Sequence, residues 1–264
     1  GPTNSMRGAC ALAAVNDAIV IDVGGTSADA GILVGGFPRQ SSAAVEVGGV
    51  RTNFRMPDLI SMGLGGGTIV RNGAGDLRIG PDSVGYAVAT EAICVGGGVL
   101  TLSDVSLAAG RMTGFGDSAL VQGIDGDLVR SAIGWVDEQI SIMSDRMKST
   151  RAELPLLAVG GGAHLIPDAV PGVSEVIRPR HQSVANAYGA GIAEASGSVD
   201  RVYSYDSSSR EECLDDAREL AANAAVRSGA NPDRVRITTV TEVPMTYVPG
   251  RGCRVMVKAA GPLA

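Results

Sequence analysis

Asp22, Gly24, Gly25, Thr26 and Ser27 form the first group of residues in the chain able to do chemistry, within "IVIDVGGTSADAGIL" at 19–33. A carboxylate, two glycines and two hydroxyls at this spacing could hold a phosphate and its counter-cation. Successive backbone N–H groups in a glycine turn make an anion-binding concavity. Asp22 is then placed for Mg²⁺, which takes one or two carboxylates and fills its shell with water and phosphate oxygens. The alternative is a plain β-turn with Asp22 at its surface; Asp29 reads either as part of the site or as a solvent-facing hairpin residue. A second group, Gly160, Gly161 and Gly162, follows the apolar run "LPLLAV". Without Cβ atoms these positions let a flat nucleobase or ribose lie on the backbone. His164, just beyond, reads as a turn residue rather than a general base.

The elements around these residues decide between known phosphate loops. Ile19 to Val23 is β-branched apart from Asp22, as in a strand buried on both faces. Residues 28–34 resume as a second strand, so the glycines turn a hairpin. A dinucleotide fingerprint needs a helix there and a Walker loop needs Gly-Lys-Ser/Thr; neither is present. Further strands are expected on either side of Gly48-Gly49, with a short hairpin inside the glycine-rich stretch at 61–85. A cap-like Ser103-Asp104 opens a short helix. The longest helical periodicity runs over 117–149. The stretch "HQSVANAYGAGIAEASG" predicts a helix on small residues ending at Gly197, "NAYGAGIA" serving close packing. Beyond it the pattern predicts strand 199–205, helix 209–228 and strands near 234–243 and 252–259.

Several side chains have two readings. The run "GLGGGT" at 63–68 lies against substrate or another lobe, or is a surface loop. Arg55 and Asp58 flank it, either functional or solvated. Asp104 orients metal or phosphate, or caps its helix. Cys10, Cys94, Cys213 and Cys253 form no CxxC and read as reduced, mostly buried thiols.

Composition narrows the function classes. The 264 residues carry a net charge of −6 and only 3% aromatics, which argues against nucleic-acid binding. With two histidines a His-rich metal site is excluded, so any metal is a hard ion on oxygen ligands. No apolar run reaches membrane-spanning length and no signal peptide opens the chain, so a soluble cytoplasmic protein without membrane partners is expected. The opening Gly-Pro reads as a cleavage scar. The 37 glycines are clustered, as where backbone is brought close to something.

The ordered motifs "GPTNSMRGA", "DVGGTSAD", "VGGVRTNFRMPDLISMGLGGGTI", "IGPDSVG", "LTLSDVSLAAGR" and "AVGGGAHLIP" resemble the hydantoinase/oxoprolinase family, specifically the carboxyl-terminal lobe of hydantoinase A, over roughly residues 1–195. The resemblance implies an α/β fold: an actin-like ATPase (ribonuclease H-like) lobe with a mixed sheet flanked by helices. On this reading 1–198 is the lobe, and 199–264 is a small α+β appendage of β-α-β-β order, with Val243 and Tyr247 on a packed or assembly surface. The resemblance also implies ATP and Mg²⁺: Asp22 on the metal, Gly24, Gly25, Thr26 and Ser27 on phosphate, Gly160 to Gly162 on adenosine. The activity implied is ATP-dependent ring opening of a cyclic amide such as a hydantoin or 5-oxoproline, the amide oxygen being phosphorylated before water attacks. The catalytic residues stay unassigned.

Two departures qualify the match. The family's Pro-Gly-Pro-Ala-Cys-Tyr segment is replaced by "YAVATEAICVGGG", so Cys94 does not inherit that role. A single Asp-x-Gly-Gly-Thr hairpin is present where the fold group uses two, so an amino-terminal lobe or partner subunit is expected, in an oligomer. The alternatives are an ATP-using carboxylase subunit, a non-catalytic nucleotide switch and a purely structural lobe.

Overall fold

A computed structural model of the chain describes residues 1–41, 46–47, 50–51, 57–73, 76–245 and 250–264. Gly48-Gly49, Arg55 and Tyr247 lie outside the described residues. The chain divides into two compact units, Gly1–Gly191 and Ile192–Ala264.

In the first unit, helix α1 (Pro2–Ala13) precedes the hairpin β1 (Ala18–Val23) and β2 (Ala28–Val34). Short strands β3 (Phe37–Pro38), β4 (Glu46–Val47), β5 (Val50–Arg51) and β6 (Leu59–Met62) follow. Then come β7 (Thr68–Gly73), β8 (Asp76–Ser83), α2 (Val88–Glu91), α3 (Leu102–Ala108) and the long α4 (Gly126–Met147). The unit closes with β9 (Leu154–Val159), β10 (Val173–Ile177) and α5 (Ala185–Gly191). Strands β6 and β10 were not anticipated; each is only a few residues long with weak alternation, and the sheet supplies the rest of the signal.

The main sheet runs β10-β9-β1-β2-β3, with β6 also on β2. It is mixed: β1 pairs antiparallel with β2 and parallel with β9, Asp22 lying beside both Asp29 and Val159. Period-two alternation buries both faces. Ile19, Ile21 and Val23 join Val129, Ala132, Val136, Ile140 and Met143 of α4 in one core. Ala18 and Val20 meet Met6 and Ala9 of α1 and Ala185 of α5 in the other. Asp22 therefore falls on the α1 face. Because β1 and β9 are adjacent and parallel, their glycine loops leave the same end of the sheet side by side, where open α/β sheets bind ligands.

Two expectations are corrected here. The cap of α3 is Thr101, and Asp104 is the third helical residue of a capping box. The small-residue helix ends at Gly191, and residues 194–204 form strand β11 (Glu194–Ser204) of the second unit. Its alternation of buried Ala195 and Gly197 with exposed Ser196 and Ser198 is that of a strand, masked in sequence by small side chains. Ladder pairing with β13 (Gly252–Pro262) decides the outcome, Gly197 opposite Ala259.

The second unit continues with α6 (Arg210–Arg227) and β12 (Arg236–Pro244), in an antiparallel sheet ordered β11-β13-β12. Leu214, Ala217, Ala221 and Ala225 of α6 cover one face over Val255 and Val257. A Cβ at Gly197 would lie 2.6 Å from the Ala221 carbonyl oxygen, so the strand can approach the helix only as glycine. Val243 is exposed.

Helices α1 and α5 cross backbone to backbone. A Cβ at Gly8 would stand 2.8 Å from the Ala185 carbonyl carbon, and one at Gly189 2.8 Å from the Gly8 nitrogen. Overpacking such a contact costs about 2 kcal/mol. Gly8→Ala and Gly189→Ala should each lower stability by that order in chemical denaturation. Gly134→Ala, mid-helix with open space around it, should raise stability by about 1 kcal/mol.

Candidate functional site

The turn after β1 is held from outside. Gly24 N–H donates to the Ser27 carbonyl at 2.8 Å. The carbonyls of Val23, Gly24 and Gly25 then accept from Gly162, Gly66 and Gly67 N–H at 2.7, 2.9 and 2.7 Å. With these carbonyls occupied, the N–H groups of Gly25, Thr26 and Ser27 have no partner among the described residues. The Thr26 side chain is exposed. Three consecutive unpaired donors with a hydroxyl beside them fit an anion.

Sterics explain the surrounding glycines. A Cβ at Gly65 would sit 2.6 Å from Thr26 N, and one at Gly67 2.9 Å from the Gly25 oxygen. The 63–68 stretch is thus packed flat against the turn. Gly160 has φ +91°, and a Cβ there would collide with Asp22 and with the Val23 carbonyl. Gly162 would meet Val23 Cγ1 at 2.7 Å. Gly161 alone of the three faces open space. So the triple glycine divides: its outer members let the loop pack on β1, and its middle member leaves room for something else.

A cavity of about 530 Å³ opens between these loops, in the size range of small-molecule sites. Gly24, Gly25, Gly66 and Gly160 to Gly162 line it, with Ser103, His164, Gln182 and Ser183. Gly85, Tyr86, Val88, Met112 and Phe115 add a more apolar wall. Arg111 and Arg178 also line it. Both are committed elsewhere: Arg111 grips Asp137 through two bonds of 2.6 and 2.7 Å, and Arg178 pairs with Asp168 at 2.8 Å. These contributors come from segments far apart in the chain, and no local pattern marks them.

Asp22 is half-buried behind the turn, and burial, helped by the Asp29 charge, raises its carboxyl above the ordinary value. Asp29 hydrogen-bonds Ser61 Oγ. Among the described residues no group of three or more His, Cys, Asp or Glu could hold a metal. A hard cation sharing Asp22 with phosphate oxygens fits this donor set, and would offset the repulsion of two facing carboxylates.

Asp58, Asp104 and Cys94 are structural, while His164 lines the cavity. Asp58 accepts from Arg39 at 2.7 and 3.1 Å. Asp104 is fully buried: one oxygen accepts from Cys94 N–H at 2.7 Å, the other from the Thr101 N–H and hydroxyl at 2.7 and 2.8 Å. It has no oxygen left for a metal. Cys94 is buried, and burial followed by the Asp104 carboxylate pushes its thiol up to about 12, so it stays protonated at neutral pH. His164 occupies the short turn Ala163–Leu165, its Nδ1 2.8 Å from Ser106 Oγ. Burial pushes its imidazole down to about 4.

Two outcomes follow. Gly161→Ala should keep wild-type stability while narrowing the cavity, whereas Gly160→Ala, strained at positive φ, should lose about 1–3 kcal/mol in denaturant titration. For His164, the unfolded imidazole takes a proton near pH 6.5, while the folded one resists it until about 4. The unfolded state binds more protons in that window, so stability falls as pH drops from 6.5 to 4, by up to about 3 kcal/mol. Asp22, with its raised carboxyl, works in the opposite sense. His164→Gln should remove the His164 share of the slope in melts taken across this range.

Comparison with known proteins places this geometry. Residues 1–115 match the family model described as Hydantoinase/oxoprolinase. Among solved structures, acetone carboxylase in a nucleotide-free structure aligns at TM-score 0.69 and 14% identity, covering 99% of this chain and 49% of that one. The ATP-dependent caprolactamase from Pseudomonas jessenii aligns at 0.64 and 17%, covering 98% and 49%. The comparison with curated protein sequences finds no match. The chain therefore spans about half the length of these two structural relatives. Among the described residues no helix is long and apolar enough to cross a membrane. The mixed sheet flanked by helices, with its separate antiparallel sheet, is an α/β fold shared with these two solved structures. On that fold, residues 1–115 are similar to the hydantoinase/oxoprolinase family.

Proposed function

We propose that this chain is the nucleotide-holding part of an ATP-dependent enzyme that opens a cyclic amide such as a hydantoin or 5-oxoproline. The observation that carries the proposal is the row of unpaired N–H groups at Gly25, Thr26 and Ser27, beside a cavity that reaches Gly161. Phosphate oxygens take those donors and the Thr26 and Ser27 hydroxyls. Asp22 holds Mg²⁺ together with phosphate. Adenosine lies over Gly161, in the space its missing Cβ leaves, with Gly160 and Gly162 keeping the loop in place. Val88, Met112 and Phe115 add apolar surface to the cavity wall, which lowers the water content around the ligand.

When bound, Mg·ATP supplies the phosphoryl group that turns an amide oxygen into a leaving group. The residues of the chain contribute fixed dipoles in a partly desolvated site, which need no reorganisation as charge moves. A structural relative named a caprolactamase supports the cyclic amide, because a lactam is one. The other relative, named a carboxylase, keeps carbonyl activation before carboxylation as the second reading. Since the chain spans about half of either relative, a second lobe, in cis or in trans, covers the open side.

The test is phosphate release with Mg·ATP and a panel of hydantoins, 5-oxoproline and caprolactam, for the chain alone and with the missing part supplied. Turnover should require both parts and a cyclic amide; dependence on a ketone and bicarbonate would favour the carboxylase reading, and efficient turnover by the chain alone would overturn the two-lobe premise. Asp22→Asn should weaken Mg²⁺-dependent nucleotide binding by about tenfold or more. The same substitution should raise the denaturation midpoint of the free chain, because it removes a charge the fold disfavours. Unchanged Mg²⁺ dependence would remove the metal assignment.

A further inference from the structure

Ser103 and Ser106 lie three residues apart on α3, hence on one helical face. His164 meets them from the turn after the triple glycine. Ser106 is fully buried, and among the described residues its hydroxyl has one partner, His164 Nδ1 at 2.8 Å. The Ser106 hydroxyl is able to donate to Nδ1. With that donation the neutral imidazole carries its own proton on Nε2, since the partner of one ring nitrogen fixes the state of the other.

Nε2 stands at the cavity wall. A Cβ added at Gly66 would lie 3.9 Å from His164 Nε2 and 2.8 Å from Ser103 Oγ, so both atoms converge on the space over Gly66. Gly66, Ser103 and His164 line the cavity beside Gly24 and Gly25. The Ser103 hydroxyl has no partner among the described residues. Both arginines that line the cavity are paired with carboxylates, Arg111 with Asp137 and Arg178 with Asp168.

We propose that Ser103 Oγ–H and His164 Nε2–H form a neutral pair of donors to the terminal phosphoryl group of a nucleoside triphosphate, and that Ser106 is the positioning residue that makes His164 a donor. The proposal rests on the nucleotide reading above and gives that site a residue set which distinguishes triphosphate from diphosphate. His164 works without a positive charge: its proton stays on Nε2, and burial disfavours a second one. This excludes a role as general base at that nitrogen, because Nε2 has no lone pair to offer.

The test uses the 264-residue chain labelled with ¹⁵N in its imidazoles, at pH 7.5; only His164 and His181 contribute signals. Long-range ¹H–¹⁵N spectra should give His164 as the Nε2–H tautomer. The Ser106→Ala variant should mix in the other tautomer. Millimolar Mg²⁺ with a non-hydrolysable ATP analogue should move the Nε2–H signal, and Mg·ADP should leave it near its free position. By calorimetry, Ser103→Ala and His164→Ala should each weaken the analogue by about tenfold relative to ADP. His164→Gln, which restores a neutral donor at the same reach, should recover part of that loss. An Nδ1–H tautomer in the wild-type chain overturns the proposal without recourse to any variant. Equal losses for the analogue and ADP overturn it while leaving nucleotide binding in place. Failure of both nucleotides to bind overturns the nucleotide reading and the proposal together.

Discussion

Three peptide hydrogen bonds govern the site. Val23, Gly24 and Gly25 give up their carbonyls to the N–H groups of Gly162, Gly66 and Gly67, and the Ser83 hydroxyl adds a second donor to Gly25. A backbone grip of this kind demands close approach, and close approach demands glycine on the gripping side. The demand explains why glycine clusters at 63–67 and again at 160–162, and why both clusters follow or face the end of a buried strand. It also shapes the polarity beside the cavity: with the carbonyls of Val23, Gly24 and Gly25 engaged, the N–H groups of Gly25, Thr26 and Ser27 remain as donors.

The electrostatics follow from the same arrangement. Ionised side chains in and around the cavity are cancelled by partners, as Arg111 is by Asp137, or are disfavoured by burial, as Asp22 and His164 are. What remains is a field of fixed dipoles in a partly desolvated space. On the function proposed above, such a site would receive a ligand that brings charges of both signs, a polyphosphate with its metal.

Much of this was legible in the chain. The β-branched run 19–23, the break at Gly24-Gly25 and the return of apolar residues at 28–34 specify a hairpin, and β1 begins one residue earlier, at Ala18, while β2 has the bounds 28–34. The run into Gly160 is a strand for the same reason. What could not be read was anything that depended on partners distant in sequence. Small residues at 194–198 carry no period strong enough to compete with the helical pattern before them, and only the ladder with β13 makes them a strand. The pairing of Ser106 with His164, and the differing duties of Gly160, Gly161 and Gly162, are likewise tertiary facts. Asp104 was ambiguous because a capping carboxylate and a metal-binding one look alike until their neighbours are known.

Asp104 has a mechanical consequence. With one oxygen on Cys94 and the other on Thr101, a single carboxylate ties the segment 88–95, which brings Val88 to the cavity wall, to the first turn of α3. The tie is buried, short and made at both ends to backbone N–H groups, so it has little slack. A load that displaces residues 88–95 is passed to α3, and the helix carries Ser103 and Ser106 with it. The two sides of the cavity are joined as by a ligament, and ring-sized pressure on one would be felt at the other.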